Sequence, residues 1–272
     1  MTISLGLMMF PALMILIFIG FPVAFSLFGV AVLFGYIRFG DVLVHQLIAK
    51  VDDVASYYVL SAVPLFIFMG CMLEKSGVSE KLFEAVHLVT RKLPGGLAIA
   101  TVVLCVFFAA ASGVVGAAES VVGLMVISVM LRHGYDKGLI SGTICAGGSL
   151  GTIIPPSVVV VILSPIAGVG VGNLFVGIMF PGLILAGLYI VYILLRCSIW
   201  PEDGPSVDNG ESYGSIASQT WVVFSSLVPL FGLIFSVLGT IMLGWATPTE
   251  AGAMGAIGTI ILTILYRTFT WV

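Results

Sequence analysis

Two stretches of small and hydroxyl-bearing residues interrupt long apolar runs, and they are where this chain has chemistry to offer. The first reads Ala109-Ala110-Ala111-Ser112-Gly113-Val114-Val115-Gly116-Ala117-Ala118, the second Gly147-Gly148-Ser149-Leu150-Gly151-Thr152-Ile153-Ile154-Pro155-Pro156-Ser157. In hydrocarbon each unpaired backbone polar group costs several kcal/mol, so irregular backbone at membrane depth survives only where it lines protein or a cavity. Pro155 and Pro156 remove two backbone donors and clash with the preceding turn, while Gly147, Gly148 and Gly151 give freedom for an unwound stretch. Freed carbonyls can coordinate a cation and half-helix N-termini can face an anion; Ser112, Ser149, Thr152 and Ser157 add hydroxyls. Close helix packing through small residues is the competing account. It suits Gly113 and Gly116, but not a double proline beside glycines.

Glu119 follows the first stretch closely. An ionised carboxylate at a helix centre costs roughly 2.5 to 3.5 kcal/mol on insertion scales, so it requires a partner or a proton. A coupling role near the site and a structural hydrogen bond to a neighbouring helix are both open to it. Glu250, after Pro248, reads as a favourable charge near a helix N-terminus. Catalysis finds no constellation: Ala111-Ser112-Gly113 could pass for a serine nucleophile, but His45, His87 and His133 fall in connecting or interfacial segments. With no Walker-type phosphate loop, the chain is not expected to hydrolyse ATP. Cys71, Cys105, Cys145 and Cys197 lack metal-ligand spacing and read as small apolar fillers. A formal charge of −3, spread over connecting segments, offers no basic stripe for nucleic acid.

The elements that must position these residues are membrane helices. Of 272 residues, 60% are hydrophobic and 8% charged, against about 25% charged in soluble domains. Ser4 to Ile37 is uncharged and lacks a signal-peptide cleavage pattern; a single helix of that length would run about 50 Å, so it should break at Gly20-Phe21-Pro22. A polar segment with Arg38, Asp41, Lys50, Asp52 and Asp53 precedes a third span near 54–73. From Ser79 to Lys92, Leu82, Phe83, Val86 and Val89 lie opposite Glu80, Lys81, Glu84 and Arg91, which predicts an amphipathic helix in the interface or a connector packed on its neighbours. Further spans are expected near 173–195, 221–238 and 251–266, with a polar loop at 201–219.

The arms 95–111 and 116–131 have basic outer ends, Arg91 and Lys92 before, Arg132 and Lys137 after. Both ends therefore belong in the cytoplasm. The turn between the arms carries no charge or interfacial aromatic, which favours a re-entrant hairpin over two crossings. All four tryptophans, Trp200, Trp221, Trp245 and Trp271, fall at expected span ends. Threading the chain puts its N-terminus and the Thr247 linker outside, and Arg196, the loop after Trp200 and Arg267 inside. The likeness of Ser61-Ala62-Val63-Pro64-Leu65-Phe66 to Ser226-Leu227-Val228-Pro229-Leu230-Phe231 is taken as chance.

Five segments, in this order, carry a family resemblance: Leu93-Pro94-Gly95-Gly96-Leu97-Ala98, Ser112 to Ala117, Gly134-Tyr135-Asp136-Lys137, Gly147 to Ser157, and Ala246-Thr247-Pro248-Thr249-Glu250-Ala251-Gly252. Over essentially its whole length the chain resembles the large, DctM-like membrane subunit of TRAP (tripartite ATP-independent periplasmic) transporters. The resemblance implies a bacterial inner-membrane, multi-pass, non-enzymatic permease working as a sodium-coupled elevator. The implied partners are a small four-helix membrane subunit and a periplasmic substrate-binding protein; the implied cargo is an organic anion such as a C4-dicarboxylate or 2-oxo acid, with sodium as coupling ion and no cofactor.

The expected fold class is accordingly an all-α integral membrane protein with about seven spans, a re-entrant hairpin and a broken helix, forming half of an elevator-type transporter. Residues 1–92 are assigned to the scaffold and interfacial helix, 93–168 to the transport domain, and 169–272 to scaffold and connecting helices with a cytoplasmic loop at 199–219. By the same resemblance Ser112, Gly113, Gly116, Gly148, Ser149, Gly151, Thr152, Pro155, Pro156 and Ser157 form a sodium and substrate site. The ion is expected near Ser112, Gly113, Gly151 and Thr152, with Glu119 as a possible coupling carboxylate. Many family members have a serine-rich tip where this chain has Val114 and Val115, which leaves fewer hydroxyls. They also continue into an inverted second half with another hairpin, so this chain is expected to hold half the site. The alternative is a non-transporting membrane scaffold or remnant.

Overall fold

The computed structural model describes residues 2–113, 117–206 and 216–266, and all regular structure among them is helical. The chain divides into two compact units, residues 1–58 and 59–272.

In the first unit, α1 (Thr2–Ile19) and α2 (Val23–Phe39) are separated at the expected break. Gly20 adopts a φ of 102°, a left-handed value that a Cβ disfavours, and Pro22 starts α2 without needing an N–H. The polar segment that follows is helical: α3 (Val42–Ala55) tucks Leu43 against Gly35 of α2, where an added Cβ would sit 2.8 Å from a leucine methyl. The outer faces of α1 and α2, including Leu7, Phe10 and Phe18, are exposed and apolar.

The second unit begins within a 3-10 turn (Tyr58–Ser61) and contains α4 (Ala62–Lys75), α5 (Val78–Thr90), α6 (Gly96–Ser112), α7 (Ala117–Arg132), α8 (Lys137–Ile153), α9 (Val158–Ala167) and the long α10 (Val171–Ile199). After it come α11 (Ile216–Ile234), a π-helical stretch (Phe235–Gly239), α12 (Thr240–Met242) and α13 (Pro248–Leu265). Two buried cores divide these helices. One gathers α5 to α8, the second half of α10 and α11; the other gathers α4, α9, the start of α10, the π-helical stretch and α13. The chain passes from one core to the other at the break between α8 and α9, which are bent by 41°.

Small residues set the second core. Gly252 of α13 meets Leu65 and Phe66 of α4, and Gly255 meets Met69, the close approach that glycine permits between membrane helices. Thr247 and Glu250 form a reciprocal capping box at the start of α13, a fuller role for Glu250 than a charge near the helix end. The two resembling hexapeptides are not equivalent, since Pro64 lies in the first turn of α4 and Pro229 well inside α11.

Among the described residues, four helical stretches are long and apolar enough to cross a membrane: 58–75, 171–199, 223–242 and 248–265; the bent pair α8–α9 makes a fifth. The expected count of about seven also included shorter helices, and the apolar parts of α1, α2, α6 and α7 fall below that length. Helix α5 packs on its neighbours. Leu82, Phe83 and Val86 are buried against α6 and α11, Glu80, Lys81 and Glu84 face outward, and Val89 is exposed, against expectation.

Candidate functional site

Helices α6 and α7 form the two arms of the hairpin and pack on each other and on α8. At the tip Gly113 ends α6 in a left-handed conformation (φ 61°), its N–H donating to Ala109 O at 3.1 Å. Of Ser112 the backbone alone is described, and Gly116, Val114 and Val115 lie outside the described residues.

The hairpin tip and the helix break meet through their backbones. Val158 N–H donates to the Gly113 carbonyl at 3.2 Å, and a Cβ on Gly113 would overlap the Pro156 carbonyl oxygen. Ile154 N–H still closes a helical bond to Leu150 O at 2.8 Å. Beyond it the chain runs through the cis Pro155-Pro156 bond and Ser157 before α9 begins. Residues 154–157 are all buried. Because Pro155 and Pro156 carry no N–H, the carbonyls of Gly151 and Thr152 lack their i+4 donors. The Ser157 hydroxyl is buried without a hydrogen-bond partner among the described residues.

The break is shorter than expected. Gly147, Gly148 and Gly151 are helical and buried within α8, so the prolines alone interrupt the helix, and Gly147 and Gly148 serve packing. An added Cβ on Gly147 would sit 2.6 Å from Cys105 Sγ of α6. One on Gly148 would overlap Cγ, Cδ and Oε1 of Glu119. The hydroxyls of Ser149 and Thr152 bond back to their own helix, donating to Ala146 O and Ser149 O, each at 2.7 Å. Their oxygens keep lone pairs for a cation. Glu119 is half-buried on α7, with its carboxylate directed across Gly148 and no ion pair among the described residues.

Among known proteins, the family model for the DctM component of tripartite ATP-independent periplasmic transporters matches residues 10–272. The chain belongs to the DctM family. It is 34% identical to the C4-dicarboxylate TRAP transporter large permease protein DctM of Vibrio cholerae over 88% of this chain and 51% of that one. It is 30% identical to the isethionate TRAP transporter permease protein DctMQ of Oleidesulfovibrio alaskensis, over 88% of this chain and 36% of the relative. With the ectoine TRAP transporter large permease protein TeaC of Halomonas elongata it shares 25% identity, over 94% and 66%. The chain thus spans about half the length of the first of these relatives. Family membership makes it a multi-pass inner-membrane protein and a transporter component rather than an enzyme.

At the base of the DctM hairpin the chain is fastened by a clasp that sequence reading missed. Gly95 N–H donates to Gly204 O and Asp136 N–H to Asp203 O, both at 3.0 Å, so the short turn after α10 holds the foot of α6 and the start of α8. Arg196 Nε donates to Asp203 at 2.9 Å, and Asp136 also caps α8, accepting from Leu139 N–H at 3.0 Å. Tyr135 Oη accepts from Leu97 N–H at 3.2 Å, and burial pushes this phenol up to about 12, which keeps it neutral. The signal was present in Pro201-Glu202-Asp203-Gly204 after Arg196, a turn composition beside a lone cation. Val158 was missed too; as the first residue of α9 it carries a donor with no partner inside its own helix.

Proposed function

We propose that this chain forms the part of a TRAP-type large permease that builds a sodium site and one wall of the substrate pocket. The reading is carried by one observation: the hairpin tip at Gly113 and the break at Pro156 to Val158 are joined backbone to backbone. Around that junction lie the proline-freed carbonyls of Gly151 and Thr152, the unpartnered Ser157 hydroxyl and the Glu119 carboxylate. These are hard oxygen donors suited to a small cation. The remaining first-turn N–H groups of α9, with the positive end of its dipole, suit an anionic substrate group.

The cargo is a small organic acid, in line with relatives named for a C4-dicarboxylate and isethionate. It is handed over by a periplasmic binding protein, with a small membrane subunit completing the complex. In an elevator cycle that takes cargo and ion together, residues 93–168 build the carrier and move with the parts of the flanking segments packed on them, among them the clasped end of α10. Glu119, whose carboxylate lies over Gly148 about one turn before the freed carbonyls, couples through its charge, since a further carboxylate near a site raises its affinity for a cation.

Uptake in proteoliposomes containing the permease, its small subunit and the binding protein tests this. An inward sodium gradient should drive accumulation, and ATP should have no effect. Sodium-independent uptake that depends on nucleotide refutes the mechanism. Assembly of the complex with no uptake of any organic acid favours a scaffold role instead.

A further inference from the structure

Away from the hairpin tip, α6, α8 and α10 leave a crevice of about 480 Å3 between them, lined by Val102, Leu139, Gly142, Ala146, Leu188 and Tyr189 among others. Its walls are almost wholly apolar, and at Gly142 an added Cβ would meet nothing within 4 Å. From Gly138 to Ala146 the crevice follows α8 for about 12 Å. Tyr192 and Arg196 line one end, and the same two residues line a second, more polar crevice of about 610 Å3 that reaches Trp200 and Asp203. The positive-inside pattern and the exposed Trp200 put that end at the cytoplasmic membrane surface.

The polar end has a particular charge pattern. Arg196 faces two carboxylates, Asp203 at 2.9 Å and Asp136 at 4.0 Å, so the cluster carries one positive charge against two negative. A purely anionic group would meet net repulsion, whereas a cationic ammonium would find a carboxylate. Among the described residues the guanidinium spends Nε on Asp203 and one Nη1 hydrogen on Tyr192 Oη; the other N–H groups of its five remain for a phosphate.

We propose that this double crevice binds one zwitterionic phospholipid of the phosphatidylethanolamine type. Its acyl chain lies along Gly142 and Ala146, its phosphate meets Arg196 and its ammonium meets the Asp203 carboxylate. An unfilled groove between membrane helices forfeits dispersion contacts, and a bilayer lipid supplies them along the apolar length while its dipolar head balances the charge cluster. Bound there, the lipid holds α10 against α6 and α8. The inference needs the membrane placement alone and stands whether or not the sodium reading does.

The test is native mass spectrometry of the 272-residue chain, delipidated in mild detergent and then offered phosphatidylethanolamine and phosphatidylglycerol in turn. One phosphatidylethanolamine should be retained, with roughly tenfold preference over phosphatidylglycerol. Gly142→Leu places its Cβ in open space and its side chain in the crevice, and should weaken retention by roughly tenfold or more with its thermal unfolding unchanged. Ala146→Leu provides a second blocked wall with the same expected loss. A phosphatidylethanolamine with a photoreactive acyl chain should label residues 138–146 in the wild-type chain. Equal retention by wild type and both leucine variants, preference for phosphatidylglycerol, or labelling confined to other segments overturns the proposal.

Discussion

At the scale of single residues, two glycines decide whether the hairpin can close on α8. Gly148 leaves the space that the Glu119 side chain occupies, so Gly148→Ala should destabilise the protein by about 1–3 kcal/mol, the usual cost of overpacking. Glu119→Ala removes the overlapping atoms. The double variant should therefore unfold close to wild type in a thermal melt while transport remains lost, and two additive defects in stability would show that these side chains do not meet. Gly113→Ala meets two penalties, the left-handed backbone, worth roughly 1–2 kcal/mol, and overlap with the Pro156 carbonyl. It should destabilise more than alanine at Gly142, where space is open. A melt in which the two alanines cost the same would separate the tip from the break. The residue types at Gly113, Pro155, Pro156 and Ser157 were legible in the sequence because proline and glycine impose their own backbone rules. That Gly148 serves Glu119 was not, since a glycine in a helix can signal either freedom or close approach, and the neighbour that decides lies on another helix.

Elements show where local rules end. The breaks at Gly20 to Pro22 and at Pro155-Pro156 follow from missing donors and stand where the sequence put them. The extent of the second break did not, because glycine allows unwinding without requiring it and α8 is held helical by α6 and α7. Replacing Pro155 and Pro156 together by alanine restores two donors that can close on Gly151 and Thr152. Membrane insertion should be unchanged while the sodium dependence of uptake weakens; normal transport with an unaltered sodium response would reduce the break to a packing kink. Helix α5 supplies a prediction of another kind. His87, stacked on Phe83, has its pKa lowered below the ordinary 6.5, first by burial and then by His133 and Arg91. The folded protein thus favours the neutral ring, so the stabilisation is fully present above pH 6.5 and is lost as pH falls through and below that value. Melting temperature should drop from neutral to mildly acidic pH more steeply in wild type than in His87→Gln, and parallel slopes would remove His87 as the cause.

For the whole second unit, the two buried cores and the clasp together determine which parts can move independently. Helix α8 belongs to one core and α9 to the other, while α4, α10, the π-helical stretch and α13 contribute to both, so relative motion of the cores is absorbed near residues 154–157 or along the shared elements, α10 among them. The clasp restricts the second route. Through Asp203 and Gly204 the end of α10 is tied to Gly95 and Asp136, the feet of α6 and α8, and this couples α10 to the segment that the sequence assigned to transport. Composition located the membrane and the hairpin flanks, and of this tie the sequence carried the turn and the cation beside it, but not which amides the turn's carbonyls would reach. Asp203→Ala keeps those carbonyls and removes the carboxylate that Arg196 uses to hold the turn in place. The amides of Gly95 and Asp136 should then exchange with deuterium faster, by an amount that reflects local opening rather than global unfolding. Leu139, whose amide is capped by Asp136 within its own turn, should keep its protection. If Gly95 and Asp136 exchange no faster, the turn is held without Arg196. If Leu139 loses protection with them, the variant has opened the start of α8 itself, and the clasp is part of that helix's stability rather than a separate tie.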